Sequence, residues 1–467
     1  MRFVPNQLLL WLTMLLVVPA MSLVVYDSGL LRMLGMVVLV ALVAVAIVDL
    51  QTSLRLLKNL EVVVPDLVRC TKQKEFELKV EFANHGPRLP WIRYGISTTP
   101  DYRIEGPVIG RVAPLLSKKI QNSKIRISTL KRGQFYIEKL NVETPSKMGL
   151  WLIRRGFTIN TEIRSYPDLS VERKKLSSIF LMRGHDGAHA IRQVGKGREF
   201  EQLREYQPGD DYIDIDWKAT ARRRAPVTRT YQIERTQEVY VIVDHSRFSG
   251  RQIRVPVDEN AEGDWLYTEH GAGGEFAVTT QLERFLHCSL VLASVAEKQG
   301  DLFGFISFAD KVDRFIRSRN GKQHYNVIRD ALYTLEPSPV APDYEQLMIS
   351  LRQRLTRRAL IVMLVDLSDP LTCEHFFDAL PLISRQHLIL VNMVRPSRAF
   401  PLFTGGEEPE RTTEVYEKLA GHFQWQDLRE TGRKLSHLGV ELGVPDHEEL
   451  CTEAVTQYLK VKQRQLI

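Results

Sequence analysis

The chain has 467 residues, 44% hydrophobic and 25% charged, the proportions of an ordinary folded protein with room for two or three domains. Its net charge of +7 suits a body lying beside an anionic membrane leaflet; nucleic acid is not expected as a partner, because the basic residues alternate with acids and form no stripe interleaved with aromatics. The four cysteines, Cys70, Cys288, Cys373 and Cys451, are far apart and form no CxxC pair, which argues against a zinc site or a disulfide framework and fits a reducing compartment.

Residues 1–58 read as a transmembrane helical hairpin with helices at about 8–25 and 30–48. Each run approaches the ~20 residues that a helix needs to cross a hydrocarbon core. Tyr26-Asp27-Ser28-Gly29 between them suffices only for a tip. Trp11 and Tyr26 suit the interfaces, and Arg32 can snorkel outward. Arg2 precedes the first helix, and Arg55 and Lys58 follow the second. The positive-inside rule therefore places both termini and the soluble body on the cytoplasmic side of the cell membrane. The competing reading is a signal peptide cut after Val18-Pro19-Ala20, which leaves the second helix as the anchor and the body still inside.

Residues 59–168 alternate with period two, as in Glu75–Phe82 and Lys124–Ile127, between Gly, Pro and Asn breaks. This predicts a β-rich, sandwich-like module without a catalytic constellation. The junction, 169–236, is dense in charge. Gly195 and Gly197 belong to no GxxxxGK[ST] phosphate loop. Asp210, Asp211, Asp214 and Asp216 lack the Gly and Glu of an EF-hand. His185 and His189 are spaced i, i+4 but sit between glycines, with no Glu after His185 as zinc chemistry on HExxH requires. The favoured reading is a structural latch of Arg/Asp pairs anchored by Trp217.

Beyond 237 the pattern is strand–helix alternation: apolar strands at Val239–Val243, 302–308, 359–365 and 387–394, with helices at about 278–298, 323–335, 344–355, 412–435 and 447–462. Such alternation predicts an α/β domain with a doubly wound, mostly parallel sheet covered on both faces. Ligands of such sheets bind beyond the carboxyl ends of the strands, where Asp244, His245 and Ser246 fall. Residues 250–277, glycine-bearing and acidic (Asp258, Glu259, Glu262, Asp264, Glu269, Glu275), read as an inserted loop on the same rim.

The run from Gly197 to Arg222, the Asp-x-Ser after the first strand, Gly300-Asp301-Leu302-Phe303-Gly304-Phe305, and Arg357-Arg358-Ala359-Leu360 leading to Asp366 together resemble the bacterial family called domain of unknown function 58. The resemblance extends over most of the chain. It implies a von Willebrand factor A-like fold and association with a MoxR-type AAA+ ATPase that assembles or activates other proteins. It also implies a metal-ion-dependent adhesion site, in which Mg²⁺ takes near-octahedral oxygen donors and keeps a position open for a partner's carboxylate. Asp244, Ser246 and Asp366 match that site. Phe248 stands where its second serine belongs, with Ser249 one place late; no threonine is evident near 338–343, leaving Ser338 or Asp343 as substitutes. The expected function is a membrane-anchored adaptor, not an enzyme. The alternatives are a metal-dependent hydrolase, against which the absence of GxSxG, HExxH and Walker A motifs counts, or an inert membrane scaffold.

Overall fold

The computed structural model describes every residue except 1, 26–28, 113, 117–118, 184–193, 196–198, 208–210, 224, 233–236, 257–266, 272–273, 403–411 and 465–467. His185, His189, Gly197 and Asp210, weighed above, lie outside the described residues. The chain divides into two compact units, Met1–Asp168 and Leu169–Ile467.

The first unit opens with a strand, β1 (Arg2–Pro5), where the sequence suggested only a helix flank. Asn6 then turns the chain, its side chain accepting from the Gln7 amide at 2.8 Å. A helix runs as α1 (Gln7–Leu12), a π turn (Thr13–Val17) and α2 (Val18–Val25). Pro19 has no amide hydrogen for the Leu15 carbonyl, and the wide π turn lies over that place. Helix α3 (Gly29–Ser53) is long and apolar enough to cross a membrane, and its Leu30, Met33 and Val40 are exposed.

The remaining strands of this unit are β2 (Leu60–Val63), β3 (Leu67–Thr71), β4 (Glu75–Asn84), β5 (Ile92–Ile96), β6 (Tyr102–Ile104), β7 (Gly110–Val112), β8 (Lys119–Thr129), β9 (Gly133–Pro145) and β10 (Trp151–Tyr166). One sheet has the order β1-β10-β9-β5-β7, with β3 parallel to β10; the other has the order β2-β4-β8-β6. Alternate residues of both sheets meet in one core, among them Leu78, Val80, Phe82 and Ile127 from one and Ile137, Leu140, Val142 and Ile153 from the other. The period-two pattern thus marks the side of each strand that leaves water.

Helix α3 extends past Val48 because its last turns find partners in the β9–β10 turn. The buried Asp49 carboxylate accepts from Ser146 Oγ at 2.5 Å, the Met148 amide at 3.0 Å and the Leu150 amide at 3.3 Å. Ser53 Oγ accepts the Lys147 amide at 3.0 Å, and Trp151 Nε1 donates to the Ala46 carbonyl at 2.9 Å. Asn6 grips the same turn, donating from its amide to Leu150 O at 2.9 Å and from Nδ2 to Gly149 O at 2.7 Å. Both apolar helices therefore meet the same end of the sheet.

The second unit starts with α4 (Ser170–Arg183), followed by β11 (Val194–Gly195), β12 (Glu199–Glu205), α5 (Trp217–Arg223) and β13 (Val227–Gln232), whose strands pair in the order β11-β13-β12. The Arg/Asp pairing of the latch reading is present as Asp216, which accepts from Arg229 Nε at 2.9 Å and caps α5 through the Lys218 and Ala219 amides. Trp217 is not the anchor, being 69% exposed beside exposed Tyr212 and Ile213; Ile215 and Val227 are the buried residues here.

The main sheet comprises β14 (Glu238–Asp244), β18 (Leu302–Phe308), β19 (Val312–Arg319), β20 (Leu360–Leu364), β21 (Leu388–Asn392) and β22 (Glu441–Gly443), in the order β19-β18-β14-β20-β21-β22. All neighbours are parallel except β18 and β19. Between β14 and β18 lie β15 (Gln252–Pro256), β16 (Tyr267–Gly271) and β17 (Gly274–Thr280), paired as β15-β17-β16. The described part of the segment expected as a loop is therefore a small sheet. The helices are α6 (Gln281–Lys298), α7 (Lys322–Leu332), α8 (Tyr344–Arg354), α9 (Pro370–Ala379), α10 (Pro381–Ser384), α11 (Thr412–His437) and α12 (Leu450–Gln463). Val239, Val241 and Val243 share a core with α6 and α12, while Tyr240 and Ile242 share the other with α8, α9 and α11.

The Gly300–Phe305 motif is structural. Gly300 ends α6 at φ +76°, and a β-carbon on Gly304 would lie 2.3 Å from the Tyr240 ring. Buried Asp301 accepts from Lys462 Nζ at 2.8 Å and from the Tyr458 hydroxyl, tying α12 to the strand start.

Asp49→Asn replaces an acceptor with a donor among buried amides and a hydroxyl. Unfolding of the first unit, followed by denaturant titration in detergent, is expected to lose about 2–4 kcal/mol. Thr158→Ala, on the exposed part of β10, is expected to change it by less than about 1 kcal/mol.

Candidate functional site

In the main sheet the chain leaves β14 for β18 on one side and later returns to β20 on the other, so the topological switch point lies between β14 and β20. Connections that depart in opposite directions open a crevice at the carboxyl ends of those strands. Asp244 ends β14, and Asp366 follows β20 by two residues.

The two loops fold alike. Asp244 Oδ1 accepts the Ser246 amide at 2.7 Å, and Asp366 Oδ1 accepts the Ser368 amide at 2.9 Å. Each is an Asx turn, an arrangement that Asp-x-Ser favours. Asp244 and Ser246 are fully buried, and Asp366 is 2% exposed. The remaining oxygens differ. Arg251 Nη1 donates to Asp366 Oδ2 at 2.9 Å and also to Ser368 Oγ. Asp244 Oδ2, Ser246 Oγ and the Tyr344 hydroxyl are buried with no hydrogen-bond partner among the described residues.

Arg251 is held in place by Phe248, whose ring lies 5.0 Å from its guanidinium and 4.9 Å from that of Arg247. The residue that departs from the serine pattern is thus a stacking platform for two cations. Asp369 accepts from the Thr372 amide and hydroxyl at 3.0 and 2.7 Å, which hold its carboxyl below the usual range, helped by Arg251 and Arg247. Burial, opposed by the Ser246 amide and side chain and reinforced by the charge of Asp366, pushes Asp244 from its ordinary 3.8 up to about 7. Burial first, and then these two carboxylates, push Tyr344 well above the ordinary tyrosine value.

The other three residues considered as oxygen donors have local roles. Ser249 Oγ donates to Ser246 O at 2.8 Å. Ser338 uses its amide, donating to His245 O at 2.7 Å and clamping the β14 loop together with the Arg247 amide on Val340 O. Asp343 caps α8, accepting the Gln346 amide at 2.9 Å. His245 Nε2 lies 2.6 Å from Asp313 Oδ2. Among the described residues, no cluster of three or more His, Cys, Asp or Glu side chains is assembled. The donor set that converges is Asp244, Ser246 and Asp366, hard oxygens of the kind Mg²⁺ takes, but Arg251 already neutralises Asp366. A cation would fit only with Arg251 turned aside. Arg251 and Ser368 were missed from sequence; the signal lay in Arg247, Phe248 and Arg251, read as a broken motif and an insertion. Beside Ser368 a cleft of about 190 Å³ opens between α9 and α11, lined in part by Cys373, Phe377 and Thr431.

This arrangement defines an α/β domain with paired Asp-x-Ser turns at the switch point of a doubly wound sheet. The family described as "Protein of unknown function DUF58" matches residues 202–251 and 246–401, the stretch that builds this site. Over 160 residues it is 24% identical to the "Uncharacterized protein YeaD" of Bacillus subtilis (strain 168), a match spanning 34% of this chain and 39% of that relative. Similar solved structures include the SpRpn10 VWA domain, at 11% identity and TM-score 0.25, covering 48% of this chain and 95% of that one. Another is the conserved hypothetical protein BatB from Bacteroides thetaiotaomicron, at 13% identity and TM-score 0.25, covering 49% of this chain and 99% of that one.

Because Asp244 holds its proton more tightly when folded than when unfolded, the sign of its linkage is fixed. Between pH 4 and 7 the folded state binds more protons, so this group favours folding at low pH and loses that contribution as pH rises through about 7. Melting curves of the full chain are expected to show a component that weakens from pH 5 to pH 8. Asp244→Asn should remove it.

Proposed function

We propose that this chain is a membrane-anchored, von Willebrand factor A-like binding protein. Its switch-point rim meets an acidic group on a partner, and the partner is a MoxR-type AAA+ ATPase acting in assembly or activation of other proteins. The observation that carries the reading is the rim itself: two buried carboxylates, one unneutralised and one bridged to a half-exposed arginine, with buried oxygens aimed at no protein partner. Such a site is built to receive a charged ligand. Among the described residues no rim serine hydroxyl is hydrogen-bonded to a histidine ring, so the nucleophile–base geometry of a hydrolase has no support there. The ATPase enters from the family resemblance.

The rim has two ways to receive a carboxylate. Arg251 can accept it directly, as a guanidinium fork does. Alternatively Arg251 turns aside and Asp244, Ser246 and Asp366 hold Mg²⁺, which when bound offers an open coordination position to the partner.

The N-terminal helices are read as a two-span hairpin tethering a β-sandwich. Support comes from β1, because Arg2–Pro5 and residues 60–166 belong to one unit and so lie on one side of any membrane. Helices between them that cross must cross twice. Cutting after Ala20 would remove β1 and the Asn6 grip from the sheet. Arg2, Arg55 and Lys58 support a cytoplasmic position for that side.

Titration of Mg²⁺ into detergent-solubilised full-length protein, read by calorimetry, should give weak heat for the wild type, stronger heat for Arg251→Ala and none for Asp244→Ala/Arg251→Ala. Equal traces from all three would retire the metal. Affinity capture from detergent extracts of the native host should recover an AAA+ ATPase with the wild type and several-fold less with the Asp244→Ala/Arg251→Ala protein; repeated capture without any such ATPase counts against the adaptor.

A further inference from the structure

Across the outer face of the six-strand sheet in the first unit, one register row runs perpendicular to five of its strands. Arg2 on β1 lies opposite Arg154 on β10, Arg154 opposite Glu143 on β9, Glu143 opposite Arg93 on β5, and Arg93 opposite Arg111 on β7. Directly paired residues project to the same face, and their neighbours Ile153, Val142, Ile92 and Val112 are buried on the other. Four positive charges against one negative leave this row with a surplus of three. Glu143 is shared between Arg154 at 2.5 Å and Arg93 at 3.5 Å. Among the described residues neither Arg2 nor Arg111 is paired with a carboxylate.

Like charges directly opposite each other destabilise a sheet, so Arg2/Arg154 and Arg93/Arg111 are arrangements that folding alone does not favour. An external anion would offset them. The position of the row indicates which one. It lies three residues, roughly 10 Å, from the strand ends at Pro5 and Trp151, which lead into α1 and are bonded to the foot of α3. Between row and helices the same face carries Val4, Leu152, Pro145 and Trp91, an apolar band. The guanidinium groups of Arg93 and Arg111 lie over the Trp91 ring, at 4.7 and 5.1 Å, and so lean toward the helices. An apolar band bordered by tryptophan and then arginine is the layering of a membrane interface.

We infer that this row binds the phosphates of anionic phospholipid headgroups, holding the sheet end against the leaflet from which the helices emerge. The inference rests on reading those helices as a membrane anchor. It assigns the binding to the arginines of the β-sheet, beyond what the anchor itself supplies.

The test uses full-length protein reconstituted in nanodiscs of equal parts phosphatidylglycerol and phosphatidylcholine, then partly stripped with mild detergent. Phospholipid retained per protein is counted by mass spectrometry. The wild type is expected to retain phosphatidylglycerol over phosphatidylcholine by about fivefold or more, an excess that high salt removes. R93Q/R111Q, remote in sequence from the helices, should fall toward the bulk ratio, and R93K/R111K, which keeps the charge, should retain the excess. An unchanged excess in the glutamine variant, no excess in the wild type, or a lysine variant as indifferent as the glutamine one overturns the inference. Melting curves of both variants comparable to the wild type separate lost preference from lost folding. All variants should stay in the membrane pellet through alkaline carbonate; release of the wild type there strikes the anchor itself.

Discussion

The Asp49 carboxylate is the group on which the first unit depends. A buried carboxylate carries a desolvation penalty of several kcal/mol unless donors surround it. Here a serine hydroxyl and two amides of the β9–β10 turn do so. The consequence is mutual: donors of the turn find their acceptor on the helix, and the last turns of the helix are fixed by the sheet. The apolar helix and the sheet thus become one solid piece. Whatever plane the helix adopts in a bilayer, the sheet end adopts with it.

The rim of the second unit handles buried acids in another way. Two loops of the same Asp-x-Ser design sit on adjacent strands, yet one aspartate is neutralised by a guanidinium and the other, without a cation partner, is pushed up to about 7 by burial. Two like charges this close to the interior could not both stay bare. Phe248 makes the division workable, because a serine at that place would add an oxygen and remove the ring that steadies Arg251.

Much of the architecture was legible because buried parallel strands announce themselves locally. Val239–Val243, 359–365 and 387–394 are continuous apolar runs, and the structure puts strands on them within a residue or two. What was not legible depends on distant partners. Arg2–Pro5 contains a charge and a proline and becomes a strand only because Trp151–Arg154 lies beside it. Trp217 suggested an anchor by its size, yet burial here went to Ile215 and Val227. Asp244, Ser246 and Asp366 could be placed at strand ends from spacing alone. Arg251 could not, since it lies in a stretch whose composition suggested a loop and its partner is 115 positions away. Local pattern identifies surfaces that avoid water; it does not say which far side chain arrives to neutralise a charge.

Strand β1 has a bearing on how the protein is made. Arg2–Pro5 leaves the ribosome about 150 residues before its partner, Trp151–Arg154. At roughly 5–20 residues per second, the amino-terminal strand waits on the order of ten seconds or more. By then the apolar helices between them have been made, so β1 can pair with β10 only after α3 is complete, and this edge strand closes the sheet.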